Sequence, residues 1–240
     1  MKKRIDMKYF LSIILMIGLI LPVASQTVVI EDDNPGDVYE ETAWGPNEQH
    51  FGYWFVSYGL PVPITTDNNL KTAISGHLNF GYAYKHKLLS FVDIGAELSY
   101  SNYFYALDEP SRDALAPNKD WDKIRSKQNG MKANIFFRFY MSPRRGNYLG
   151  TYLDLGFYAD YHMSSGWMYK LKDDFIKEKV SLKQNEDFET LTYGPSLAFG
   201  RDQFNFFAQY NITSVLTSKS TFPEMPAFVC GLKINMYSAF

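Results

Sequence analysis

The stretch "GTYLDLGFYADYH", residues 150–162, decides the fold because two kinds of side chain alternate along it. One series, which begins at Thr151 and includes Leu155, is largely apolar. The other series contains small and polar residues such as Gly156 and Asp160. A period of two is typical of a β-strand, because successive side chains point to opposite faces of the sheet. The class of protein therefore depends on which series faces water and which faces oil.

The bulk composition limits the partners and cofactors. The chain has 240 residues, enough for one large domain or two small ones. Its net charge of −2 is unsuited to binding a nucleic-acid backbone, and the single cysteine, Cys230, excludes an internal disulfide and a cysteine-rich metal site. The histidines lack paired ligand spacing, so we expect no metal and no cofactor. They are His50, His77, His86 and His162.

The N-terminus has the pattern of a secretory signal peptide over residues 1–25. Basic residues precede an apolar run, Tyr9 to Leu21, and the small residues Ala24 and Ser25 follow at cleavage spacing. An uncleaved membrane anchor is the alternative, but the run is shorter than the roughly 20 residues that a spanning helix needs. Residues 26–49 are acidic and turn-rich, which predicts an extended periplasmic segment.

The remainder, residues 50–240, consists of segments that alternate like the opening one, which predicts eight β-strands. The segments are 51–59, 72–84, 91–105, 131–141, 150–162, 190–200, 204–213 and 228–240. Pro195 lies inside the sixth of them, and we expect a bulge there because proline cannot donate to a strand ladder.

The connections between these segments alternate between long and short. We expect long loops at 60–71, 107–128, 164–188 and 217–225, and short turns at 85–89, 142–147 and 201–203. Segregation of long loops to one end is typical of transmembrane barrels. The sequence therefore predicts an all-β, eight-stranded antiparallel up-and-down transmembrane β-barrel, with aromatic girdles that include Trp167 at the two interfaces.

The two series of side chains differ in size as well as polarity, and the difference indicates an inverted protein. The apolar series is bulky and nearly free of charge, which suits a wall that faces lipid, whereas the polar series is small enough to fill a narrow lumen. The predicted lipid-facing residues are Leu78, Phe80, Ile94, Leu98, Ile135, Phe137, Leu153, Leu155, Phe157, Leu197, Phe206, Leu232 and Ile234.

Charged residues on the inward series predict a network of ion pairs in the lumen, because buried charges must be paired. They are His77, Asp93, Glu97, Lys132, Arg138, Asp154, Asp160 and Lys233. Across the predicted turns we expect the pairs Arg138–Asp154, Lys132–Asp160 and His77–Glu97. We interpret the network as structural filling of a plugged barrel, with a gate at the third pair and a narrow pore as alternatives.

Residues 50–240 resemble the small eight-stranded outer-membrane barrels of the OmpA and OmpX type and, more closely, the PorT-like group of Bacteroidota. The resemblance is based on Gln26 after the signal peptide, on "YLDLGFYADY" and on the terminal "LKINMYSAF". It implies a Gram-negative outer membrane, contact with its lipid and lipopolysaccharide, and recognition by the barrel-assembly machinery through a C-terminal strand ending in Phe240. Members of the family include adhesins and assembly factors of secretion machines.

The expected role is a non-catalytic structural or interaction protein of the envelope, such as an accessory of a secretion or assembly complex. The charged loops 107–130 and 164–189 are either plain solvated surface or contacts for a protein, a glycan or lipopolysaccharide, and the acidic tail is another docking segment. The alternative is an enzyme that modifies lipid A or phospholipid, with His162, Asp160 and Ser164 as candidate catalytic residues.

Overall fold

The computed structural model of the chain describes residues 43–63, 70–107, 121–142, 148–171, 179–182, 187–218 and 225–237. The signal peptide, residues 26–42 of the acidic segment and Phe240 lie outside the described residues, so the expectations for them stay predictions. Within the described residues, no helix is both long and apolar enough to cross a membrane.

The described chain is built from nine β-strands and one short 3₁₀ turn at Thr72–Ile74. The strands are β1 (His50–Val62), β2 (Gly76–Leu89), β3 (Val92–Ala106), β4 (Trp121–Ser142), β5 (Thr151–Leu171), β6 (Lys179–Leu182), β7 (Leu191–Arg201), β8 (Phe204–Tyr210) and β9 (Phe228–Met236). Alternation of bulky and small residues along each strand is the local cause, because both faces of a strand are then committed to different surroundings.

Eight of these strands form one closed antiparallel sheet. The order is β4-β3-β2-β1-β9-β8-β7-β5, and β4 also pairs with β5, which closes the ring. Strand β6 pairs with residues 167–170 near the C-terminal end of β5 and is not part of the ring. The predicted eight-stranded antiparallel barrel is therefore confirmed. We call the end with the turns Ser90–Phe91 and Asp202–Gln203 the lower end, and the opposite end the upper end.

Two strands are much longer than the sequence pattern predicts. Strands β4 and β5 have 22 and 21 residues and stay paired from Ser142 and Thr151 up to Trp121 and Leu171. Residues 121–128 and 164–171 were expected in loops, and that expectation is wrong. The reason is a register shift between Asn129 and Gly130, which interrupts the period-two pattern on β5 although the strand continues.

Two other local predictions are also wrong. The turn expected at 85–89 lies at residues 90–91, because β2 continues to Leu89. The bulge expected at Pro195 is absent from the described strands: Pro195 pairs with Phe157 without a register shift, and the β7–β8 ladder stops one residue later in the chain, at Ser196. The missing N–H of proline coincides with the place where that ladder stops.

Apolar side chains fill both ends of the barrel interior. The lower cluster contains Phe51, Tyr53, Phe55, Ala83, Leu149 and Tyr152, with Tyr140 and Tyr237 packed against it. The upper cluster contains Leu70, Tyr103, Tyr105, Leu107, Ile124, Trp167, Phe188, Val215, Leu216 and Met225. Trp167, expected in an interfacial girdle, is instead 1% exposed inside the upper cluster, because the extra residue on β5 moves it to the inner face.

Candidate functional site

The outer wall of the barrel is a continuous apolar surface. All thirteen residues predicted to face lipid lie on it, and only Ile94 and Leu153 are half-buried by their neighbours. Ile135 and Leu232 are the most exposed of them, at 59% and 61%. Among the described strands, outward positions level with this apolar surface carry no Asp, Glu, Lys or Arg. Arg125 and Lys127 of β4 are exposed above it, and Arg201 ends β7 below it.

Aromatic side chains interlock on this outer wall instead of being buried beneath it. Trp54 on β1 stacks on Phe80 of β2, with ring centroids 5.4 Å apart, and meets Tyr82 edge-on at 5.3 Å. Phe157 on β5 similarly contacts Tyr193 on β7 at 5.9 Å. Exposed aromatic surface of this extent is typical of an interaction with another apolar phase.

The inner wall holds the charged residues, and Arg138 and Asp154 form its best-ordered pair. They lie directly opposite each other on β4 and β5, with Nε and Nη2 of Arg138 donating to the two carboxylate oxygens at 2.7 and 2.8 Å. Nη2 of Arg138 also donates to the Tyr53 hydroxyl at 3.0 Å, and the guanidinium lies 3.8 Å from the ring centre of Tyr152. The bidentate pair therefore joins neighbouring strands β4 and β5, and the bond to Tyr53 ties it across the lower lumen to β1.

A second ion pair was missed by the sequence analysis. Lys85 was expected in a turn, but β2 carries it into the lumen, where its ammonium group bonds to Asp93. Tyr140 completes the group, because its hydroxyl accepts from Lys85 at 2.8 Å and donates to Asp93 at 2.7 Å. The alternation at residues 82–86 could have identified Lys85, since it has the parity of the inward residue Ala83.

The expected pair of His77 with Glu97 is wrong. His77 lies opposite Tyr103, and Glu97 lies opposite Ala83, because the true turn of the β2–β3 hairpin is later in the chain than expected. Glu97 instead pairs with Lys233 of β9 and accepts a hydrogen bond from Asn134 at 3.3 Å. A gate through His77 and Glu97 has no structural basis.

His77 belongs to a separate polar group in the upper lumen. Nζ of Lys132 is 3.1 Å from Nε2 of His77, donates to Gln209 at 2.9 Å and is 3.9 Å from Asp160. Tyr103 stacks on His77 with ring centroids 3.9 Å apart, and its hydroxyl donates to Asp160 at 2.7 Å. The structure therefore brings Lys132 and Asp160 together, within a network that also involves two aromatic rings.

The candidate catalytic residues do not form a catalytic arrangement. His162 has Nε2 3.1 Å from the Thr192 hydroxyl, and both carboxylate oxygens of Asp160 accept hydrogen bonds from other residues, Ser101 and Tyr103. The register shift places Ser165, and not Ser164, on the inner face beside this group. No hydrogen bond joins the three candidates within the described residues.

The lumen is closed at more than one level. Arg138, Phe136 and Tyr152 are at most 1% exposed in the lower half, and Trp167 blocks the upper half. Small inner residues make room for these large ones: a Cβ atom at Gly95 would collide with the ring of Phe136. A polar cavity of about 30 Å³ remains between Glu97, Lys132 and Lys233, enough for one or two water molecules.

At the lower end, the structure brings together two histidines that are scattered in the sequence. His50 and His86 are paired residues of β1 and β2, and their Nδ1 atoms are 3.4 Å apart. Tyr84 lies beside them, with its hydroxyl 2.6 Å from Nδ1 of His50. Sequence spacing could not identify this pair, because the two residues are 36 positions apart and only the strand register joins them.

Comparisons with known proteins leave the family open. The chain matches no known family model and no curated protein.

Proposed function

We propose that this chain is an integral outer-membrane protein whose sealed barrel anchors a rigid, non-catalytic interaction platform. The observation that carries the proposal is the inversion of the two walls: the outer wall is uncharged and apolar, and the inner wall contains the ion pairs. In water this arrangement would leave a large apolar surface exposed, whereas in a bilayer it buries that surface in acyl chains.

The height of the apolar wall agrees with a membrane. On β4, outward apolar residues run from Met131 to Met141, which is ten steps of about 3.4 Å, or roughly 34 Å along the strand. At a tilt of about 40° this corresponds to roughly 26 Å along the membrane normal, close to the ~25 Å band of outer-membrane barrels. The signal peptide predicted at 1–25 supports export to a Gram-negative envelope.

A closed lumen favours an anchor over a pore. Solutes would have to displace the Arg138–Asp154 pair and the upper cluster, both of which are buried. We therefore expect the barrel to conduct no ions when it is reconstituted in a planar lipid bilayer. Steady single-channel conductance of the folded wild-type barrel would favour the narrow-pore alternative.

The upper part of the molecule supplies the platform. Strands β4 and β5 continue about ten residues above the apolar wall, β6 adds a third strand, and the upper cluster packs beneath them. An ordered projection on a rigid scaffold is a common way to present a binding surface. The partner class that the resemblance suggests is an envelope protein of a secretion or assembly complex, with lipopolysaccharide around the wall.

The membrane part of the proposal is tested by phase partition. The processed chain is refolded with and without phosphatidylcholine vesicles and floated on a density gradient. We expect it to float with the vesicles and to aggregate without lipid or detergent. A folded monomer that stays in buffer alone would contradict the proposal.

The platform part is tested separately by co-purification from detergent-solubilised membranes. One variant removes the projection by replacing residues 104–127 with a short turn between β3 and β4, and residues 163–189 with a short turn between β5 and β7. The control variant lacks 27–42. We expect partners to be lost with the projection and retained without the tail. The reverse result would assign docking to the tail.

Catalysis is not the activity that the geometry favours, because His162 and Asp160 are engaged by other hydrogen bonds and Ser164 is not on the inner face beside them. We expect His162→Ala to leave the lipid A and phospholipid profiles of cells unchanged. A changed profile, with the folded barrel present at normal level, would revive the lipid-modifying alternative.

A further inference from the structure

We infer that His50 and His86 form a binding site for a divalent transition-metal ion, with Zn²⁺ as the ion that fits best. The site lies on the outer face at the lower end of the barrel, where Leu88 and Leu89 follow it towards the turn. It is independent of the proposed platform function, because it is at the opposite end of the molecule.

The distance between the two ring nitrogens carries the inference. Nδ1 of His50 and Nδ1 of His86 are 3.4 Å apart, which is long for a hydrogen bond. Two ligands of a tetrahedral zinc ion, each at about 2.0–2.1 Å from the metal, are roughly 3.3–3.4 Å apart. The two imidazoles are therefore separated by the edge length of a tetrahedral zinc site.

The backbone holds the pair in this arrangement before any ion binds. His50 and His86 are directly opposite in the β1–β2 register, and the N–H of His50 donates to the carbonyl of Ala43 at 2.9 Å. The ring of Trp44 lies against the His50 ring, with centroids 5.3 Å apart. Binding would therefore cost little ordering of the two side chains.

The surroundings leave room for the remaining ligands. Both histidines are half-buried, so the pair is partly accessible from outside, and the two further ligands of a tetrahedral ion would be water. The Tyr84 hydroxyl is 2.6 Å from Nδ1 of His50, the atom that would bind the ion, so zinc binding breaks this hydrogen bond and leaves the hydroxyl oxygen beside the metal. Lys87, the residue after His86 on β2, donates to the Asn47 carbonyl at 2.9 Å, so its ammonium group already has a hydrogen-bond partner.

The donor set also selects the class of ion. Within the described residues, no group of three or more His, Cys, Asp or Glu residues surrounds a common point. Two neutral imidazoles favour borderline ions such as Zn²⁺, Ni²⁺ and Cu²⁺, whereas Ca²⁺ and Mg²⁺ need several oxygen ligands. We expect micromolar rather than nanomolar binding, because the protein supplies only two strong ligands.

The test is isothermal titration of the folded, processed chain in detergent, made without a polyhistidine tag, with ZnCl₂ and with MgCl₂. We expect one Zn²⁺ per chain and no Mg²⁺ signal. His50→Asn and His86→Asn should each weaken Zn²⁺ binding at least tenfold. The matched control, His162→Asn, removes an interior histidine and should bind as the wild type does.

A second measurement uses the wild-type chain, so its result does not depend on whether the histidine variants fold. Zn²⁺ should protect His50 and His86 from modification by diethyl pyrocarbonate, measured residue by residue by mass spectrometry, while Mg²⁺ should not. The inference is overturned if the wild type takes up no Zn²⁺ at millimolar concentration, or if the double variant His50→Asn, His86→Asn binds Zn²⁺ as tightly as the wild type.

Discussion

The inner and outer walls of the barrel are made by the same strands, but exposed side chains are apolar and many buried ones are charged. Along β4, the outward residues Ile135 and Phe137 are exposed and apolar, whereas their neighbours Phe136 and Arg138 are buried, the second as half of an ion pair. In a water-soluble protein the exposed positions would carry the charges. This is the pattern expected if the two faces meet different solvents, as proposed above, and each wall can be tested separately.

The largest expected effect comes from breaking the inner wall at its best-ordered pair. Arg138→Met leaves Asp154 buried without its partner, which should lower the free energy of unfolding by about 3–5 kcal/mol. The measurement is urea unfolding of the barrel in lipid vesicles, followed by tryptophan fluorescence. The double variant Arg138→Met, Asp154→Leu removes both charges and should recover most of the loss. An equal loss in both variants would show that the pair is not the cause.

The outer wall is broken by placing a charge in the middle of the apolar surface. Ile135→Arg should cost about 2–4 kcal/mol in vesicles, because the charge lies near the midplane of the bilayer. Met141→Arg is the matched control on the same face of the same strand. Its position near the lower interface should reduce the cost to about 0–1 kcal/mol. Equal costs at the two positions would argue against a membrane around this wall.

A smaller effect compares one substitution on both faces of β1. Tyr53→Phe removes the hydroxyl that accepts from Arg138, and should cost about 1.5 kcal/mol because the donor is charged. Tyr58→Phe, on the outer face, removes a hydroxyl with 44% of its residue exposed and should leave the unfolding midpoint unchanged. Both variants are measured by the same urea titration. A larger loss from Tyr58→Phe would reverse the assignment of the two faces.

The smallest effect on the barrel itself is expected above the membrane wall. Trp167→Ala empties part of the upper cluster, so the projection of β4 and β5 should open locally while the barrel keeps its unfolding midpoint. Limited proteolysis of vesicle-bound protein checks this, with cleavage above residue 162 expected to accelerate. Met168→Ala, the next residue on the other face of β5, should be cleaved at the wild-type rate. Unfolding of the whole barrel by Trp167→Ala would contradict the prediction that the projection and the barrel unfold independently.

Much of the fold followed from alternation alone. The segments around Leu155, Phe80 and Ile234 show a clean period of two, and all eight barrel strands were found from that pattern. The upper half of β5 was missed because the extra residue, Met163, exchanges the two faces of that strand. The upper half of β4 keeps its parity but carries polar residues on both faces, such as Ser126 and Lys127, so it shows no apolar alternation. Period-two reasoning cannot cross a bulge, since one extra residue exchanges the faces.

The candidate sites depended more strongly on register. Arg138 and Asp154 could be paired from the sequence because their hairpin turn was placed nearly correctly, and they are opposite in the structure. His77 was assigned to Glu97 because the other turn was misplaced, and it lies opposite Tyr103. Lys85 was missed because the same turn was misplaced: a residue assigned to a turn is not assigned to either face of the sheet.

By itself, the sequence determined which side chains share a face, because that follows from local strand geometry and needs no knowledge of the neighbours. Only the tertiary structure decided which of those side chains meet. The join between β1 and β2 brings His50 to His86, the bulge turns Trp167 inward, and the closure of β4 on β5 completes the ring. Contacts across strands depend on the position of the turn and on the register. A shift of either one by a single residue changes every pair along the two strands.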